Sequence, residues 1–133
     1  MKRIFTLFLS LAICMSLYGC MPRSVKGTVW LKTEKFFLIT LRFSKDGVMT
    51  LTPSVINKES QKAAGITDKM LLSRKETFYY TDGFDAHGKR TLRVYKSEKD
   101  KNGDKNAKII PYKIDDKGLH MKKITYTYKG KGE

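Results

Sequence analysis

Two cysteines, Cys14 and Cys20, and two histidines, His87 and His120, are the residues whose types most readily supply a nucleophile, a base or a metal ligand. A zinc site needs three or four such groups at ligand spacing, and these four are not so spaced. No Gly-x-Ser-x-Gly elbow is present. A hydroxyl–imidazole–carboxylate triad is assembled in three dimensions, and nothing in the spacing around either histidine requires one. His87 reads as loop filler between glycines and His120 as an outward position on a strand. Asp100-Lys101-Asn102-Gly103-Asp104-Lys105-Asn106 sets oxygen side chains at alternate positions, as a calcium loop does. The EF-hand pattern also needs Gly at its sixth position and an acid at its twelfth, where this segment has Lys105 and Pro111. Lys99, Lys101 and Lys105 would repel a cation, so the segment reads as a solvated hairpin tip. These residues point to no enzyme, no cofactor and no metal.

Cys20 carries a different signal. Lys2 and Arg3 form a basic start, and Ile4 to Tyr18 is an uncharged, mostly apolar run of 15 residues. This is the layout of a secretory signal. A membrane-spanning helix wants about 20 apolar residues, so the run is short for a permanent span, although an uncleaved anchor stays open as an alternative. The run closes on Leu17-Tyr18-Gly19-Cys20, which resembles the lipobox of bacterial lipoproteins, with Tyr18 departing from the small residues usual there. The resemblance implies cleavage before Cys20, acylation of its thiol, and a place in the cell envelope. Met21 at the next position carries no retention signal of the Asp type, which implies the outer membrane if the organism has two membranes. Cys14 would leave with the signal and Cys20 would be consumed by its thioether. The remaining domain would then depend on packing alone.

The chain holds 27 Lys+Arg against 13 Asp+Glu, a formal net charge of +14. Most of the basic residues are lysines scattered along the chain. Nucleic-acid readers concentrate Arg beside aromatics on one surface, so nucleic acid is not expected as a partner. The stretch from Leu119 to Gly132 has no acid, and Lys113, Lys122, Lys123, Lys129 and Lys131 form the strongest basic surface in the sequence. Its expected partners are anionic envelope lipids or polymers, or another envelope protein; charge kept for solubility alone is the competing reading.

The elements that must hold these residues read as β. Hydrophobic residues make up 41% and charged residues 30%, a globular composition at a length that allows one domain. From Phe36 to Phe43, Phe37, Ile39, Leu41 and Phe43 share one face. Ser44-Lys45-Asp46-Gly47 is a turn, and Val48 to Thr52 returns as a hairpin. Thr77 to Thr81 pairs in the same way with Thr91 to Tyr95, and Lys108 to Ile114 with Leu119 to Met121. Pro111 predicts an edge strand or a bulge. The last strand slips phase at Lys122-Lys123, which reads as a β-bulge before Ile124, Tyr126 and Tyr128. Asn57 to Met70 breaks the pattern and allows one short helix.

Gly27-Thr28-Val29-Trp30 is similar to the Gly-x-Trp start of lipocalin-like domains, with one residue too many between the glycine and Trp30. The fold expected is mostly β: a small antiparallel barrel or sandwich of seven to eight strands, lipocalin-like topology among the options, with at most one short helix. The segments expected are a signal over 1–19, a tether over 20–26, one β domain over 27–128 and a disordered tail over 129–133. The function expected is a lipid-anchored, non-enzymatic binding or accessory module working through an exposed surface. The alternative is a carrier of a small apolar ligand in an interior lined by Trp30, Phe37, Ile39, Leu41 and Tyr112. With a filled core, function would fall to the loops 57–70, 82–88 and 96–105, and to exposed strand faces.

Overall fold

In a computed structural model, which describes residues 21–34 and 37–132, alternate residues of successive strands converge on one interior. The strands are β1 (Thr28–Thr33), β2 (Phe37–Phe43), β3 (Val48–Val55), β4 (Glu76–Phe84), β5 (Arg90–Tyr95), β6 (Lys108–Asp115), β7 (Gly118–Met121) and β8 (Ile124–Lys131). Each pairs antiparallel with the next, and β8 returns to β1, closing an eight-stranded up-and-down barrel. Leu41 and Phe43 point inward on either side of exposed Arg42, and Leu92 and Val94 do so around exposed Arg93. This period of two puts Trp30, Met49, Tyr80, Ile110, Tyr112, Leu119, Met121 and Tyr126 into the same core. Eight strands enclose a space that side chains can just fill. Trp30 is fully buried, donates from Nε1 to Thr28 Oγ1 at 2.6 Å, and meets Tyr128 edge-on at 5.0 Å.

Three short helices lie among the described residues where at most one was expected: α1 (Lys58–Ala63), α2 (Asp68–Ser73) and α3 (Glu98–Asn102). Two have side-chain caps that draw the chain into a helical turn. Thr67 accepts from Met70 N at 3.2 Å and Ser97 from Asp100 N at 3.1 Å. The expected hairpin tip at 96–105 is therefore largely α3, packed on β4 and β5.

The phase slip at Lys122-Lys123 is a chain reversal and not a bulge. Both residues have positive φ, 52° and 64°, and they join Met121 to its partner Ile124 in a two-residue hairpin turn. Pro111 lies at a local edge, as expected, with a strand partner on one side only. It is the last β6 residue paired to β5, opposite Thr91, and Tyr112 is the first paired to β7. Its missing N–H falls where β6 changes partner.

Both flanks of the domain are structured. The expected tail completes the barrel: β8 reaches Lys131, opposite Thr28, and Gly132 N donates to Gly27 O at 2.8 Å. β1 needs that partner to satisfy its outer backbone groups. The expected tether is packed from Met21 onward, because apolar Val25 fills one end of the barrel and is fully buried. The signal segment, Cys14 and Cys20 lie outside the described residues. Among those described, no helix is long and apolar enough to cross a membrane.

Candidate functional site

The segment 21–27 is seated by a polar cluster at the barrel end. Asp82 points inward from β4, its side chain only 10% exposed. It accepts from Tyr112 Oη at 2.7 Å, from the Ser24 hydroxyl, and from Arg90 Nη1 at 3.4 Å. A carboxylate removed from water needs such donors. Burial, then hydrogen bonding to Asp82, pushes the Tyr112 phenol above its ordinary value. Burial, then the Asp82 charge, pushes Tyr80 up to about 12. Both phenols therefore stay neutral donors, and Tyr80 donates to the Ser44 carbonyl. Asp82 belongs to β4 and not to the loop expected at 82–88.

Beside this cluster the barrel wall opens. β5 and β6 pair only over Thr91–Val94 and Lys108–Pro111, while residues 112–115 of β6 pair with β7 alone. A groove of about 790 Å³ lies there. Its floor and walls are Met21, Pro22, Pro111, Tyr112 and Ile114, and its polar lining is Arg23, Lys89, Arg90, Lys113 and His120. Among the described residues, no acidic side chain lines it. Arg90 is shared with Asp82 and stacks on Phe84 at 4.6 Å, and His120 is held by Asp115. Arg23, Lys89 and Lys113 form no ion pair among the described residues. An apolar floor under unpaired cations is suited to an anion with an apolar portion.

His120 brings together groups that sequence spacing did not connect. Its Nε2 lies 2.7 Å from Asp115 Oδ1 and its Nδ1 3.0 Å from Thr125 Oγ1. The hydrogen bond with His120 holds the Asp115 carboxyl below the usual range. Carboxylate, imidazole and hydroxyl are the groups of a nucleophilic triad. Here they form a cross-strand row on the outer face of β6, β7 and β8, since His120 pairs with Lys113 on one side and Thr125 on the other. Thr125 is not among the residues that line the groove. His87 sits on the exposed 85–89 turn, its backbone N–H bonded to Asp85 Oδ1 at 2.8 Å.

The five lysines expected to form one basic surface lie on β6, on the β7–β8 turn and on β8. Lys113 enters the groove. Lys122 and Lys123 form the β7–β8 turn, where Lys122 lies against Lys108, and the hydrogen bond with Lys108, then burial, then the like charge lower its pKa. Lys113 pairs with His120, two residues before Lys122, so Lys113 and Lys122 lie near each other, one on β6 and the other in the turn after β7. Lys129 and Lys131 lie on β8, with Lys131 beside Thr28 at the end sealed by residues 21–27. Arg23, Lys89 and Arg90 were missed because only the fold brings residues so distant in sequence to β6.

The expected apolar lining divides. Trp30, Leu41 and Tyr112 are packed into the core. Phe37 and Ile39 are half-buried and line, with Leu51, Pro53 and Leu71, a second groove of about 550 Å³ rimmed by Glu34, Arg74 and Glu76. Exposed Met70 and Leu72 stand nearby on α2. Among the described residues, no three His, Cys, Asp or Glu side chains converge as a metal site would require. Compared with protein-family models, curated proteins and solved structures, the chain matches none. The fold by itself defines the class, a closed eight-stranded up-and-down β-barrel of the lipocalin-like architecture.

Proposed function

We propose that the chain is an envelope lipoprotein, anchored through an acylated Cys20, that works as a non-enzymatic binding module through an exposed surface. The observation that carries this reading is the position of the basic groove. Its lining begins at Met21, the residue immediately after Cys20. Acyl chains on Cys20 would hold the Arg23, Lys89 and Lys113 side chains against anionic lipid. An acyl anchor and a basic patch together give stable attachment where one signal gives marginal attachment. The outer membrane is the proposed location if the organism has two membranes.

Metabolic labelling with a fatty-acid analogue tests the anchor. The wild-type chain should take up the label and run at the size of a chain starting at Cys20, and Cys20→Ala should do neither. A Cys20→Ala chain that is processed and labelled normally overturns the reading. An unlabelled, full-length wild-type chain that stays with the membrane selects the uncleaved single-span anchor instead. A second reading, a carrier of a small apolar ligand, draws on the groove lined by Phe37, Ile39 and Leu51, with the opposite end of the barrel interior already filled.

A further inference from the structure

We infer that the groove between β5 and β6 receives the phosphate-bearing headgroup of a membrane lipid. This rests on the reading above that the groove is the binding surface. Three separate stretches of chain deliver its cations: Arg23 from the N-terminal segment, Lys89 from the β4–β5 turn and Lys113 from β6. Asp82 and Asp115 stand behind Arg90 and His120, and Asp115 feels the Lys113 charge, but no acid is among the lining residues, so the hollow keeps a positive excess that favours an anion. Guanidinium and ammonium groups are the two side chains that bind phosphate best, the first as a fork and the second as a point charge.

The apolar part of the lining separates a lipid from a free anion. Met21 and Ile114 offer surface with which inorganic phosphate makes no favourable contact. The volume, about 790 Å³, is that of a site for a whole organic molecule and far exceeds a bare phosphate. A headgroup with the first carbons of its acyl chains satisfies both parts. The groove also starts one residue from Cys20, so an acylated chain would present it at the depth where headgroups lie.

The chain's two histidines supply an internal probe, because His120 lines the groove and His87 does not. The full chain, held in a non-ionic detergent, is titrated with dihexanoyl phosphatidic acid while both imidazole Cε1–H resonances are followed by NMR. The His120 signal should move to saturation and the His87 signal should stay. Glycerol 3-phosphate, the same phosphate without acyl chains, should bind at least tenfold more weakly. Arg23→Glu with Lys113→Glu should weaken lipid binding at least tenfold, at the usual contribution of one basic residue near an anionic surface. Both positions are exposed, and the milder Arg23→Gln/Lys113→Gln pair, which leaves no new charge, should give an intermediate loss. A silent His120, equal affinity for glycerol 3-phosphate, or unchanged binding in the charge-reversed chain each overturns the inference. Cys20→Ala should bind the short-chain lipid as the wild type does. Failure of the anchor would then appear in the labelling alone, and failure of the groove in the titration alone.

Discussion

Two kinds of titrating side chain set opposite limits on stability. Asp115 and Asp104 accept hydrogen bonds from His120 at 2.7 Å and Tyr95 at 2.6 Å, and both carboxyls are held below the usual range by those bonds. A depressed carboxyl contributes stability that is present above its ordinary value near 4 and is lost as pH falls through the depressed one. Tyr80 works in the other direction. Burial first, and the Asp82 charge second, raise it to about 12. Its contribution is complete below the ordinary phenol value near 10 and is lost as pH rises through about 12. The urea midpoint should therefore be flat from about pH 5 to about pH 9 as far as these groups govern it, and should fall on both sides. Asp115→Asn should make the acid limb shallower and leave the alkaline limb alone, and Tyr80→Phe should do the reverse. Limbs unchanged by both variants would show that neither group's proton is linked to folding.

At the scale of the element, the β7–β8 turn is where local preference and fold disagree. A type I′ turn needs positive φ at both central residues, which Asn-Gly adopts readily and lysine does not. Lys122 and Lys123 adopt it at 52° and 64°, each at a cost on the order of 1 kcal/mol, and Lys122 is pressed against Lys108 as well. Lys122→Asn with Lys123→Gly should raise stability by about 1 kcal/mol, read as a higher urea midpoint at unchanged slope. A midpoint that stays or falls would mean that the turn is not strained. The same turn shows why some elements could be read from sequence and others could not. The hairpin at Ser44–Gly47 announces itself, because Asp-Gly sits between two alternating runs. The turn at Lys122-Lys123 carries no Gly, Asn or Asp, so only its phase slip was visible, and a bulge produces the same slip. Asn, Asp and Gly around 100–106 suggested a loop, yet Ser97 three residues before Asp100 is a helix-start signature that outweighed them. Gly118 reads in the sequence as the end of the Asp115-Asp116-Lys117-Gly118 turn, but its contact with β8 shows only in the fold. At φ 133° its Cβ position would lie 2.1 Å from Tyr126 O, so no larger residue fits.

For the whole molecule, alternation fixes which residues face inward but not what lies over the barrel's ends. The barrel was legible because each strand repeats one pattern. The groove was not: Pro111 marks the end of the β5–β6 ladder, but no local pattern brings residue 23 to residues 89 and 113 there. The segment 21–27 was read as a polar tether for the same reason: one valine among charged and turn-forming residues gives no period. In the fold, that valine decides the matter. Val25 is fully buried, its carbonyl accepts from Thr28 N at 3.1 Å and from the Thr28 hydroxyl, and Ser24 beside it bonds Asp82. Gly27 is in turn tied to Gly132, so the start and end of the domain close on each other. A tether would unfold independently and contribute nothing to the barrel, whereas a plug shares its cooperativity. Val25→Ala removes two buried methyl groups and should lower stability by about 2 kcal/mol while unfolding stays a single transition. Urea unfolding of the full chain in detergent, followed through the lone Trp30, reads this directly, because Trp30 lies in the same core as Val25. An unchanged midpoint would return residues 21–27 to the role of a tether, and the groove that they help to build would then have no fixed wall.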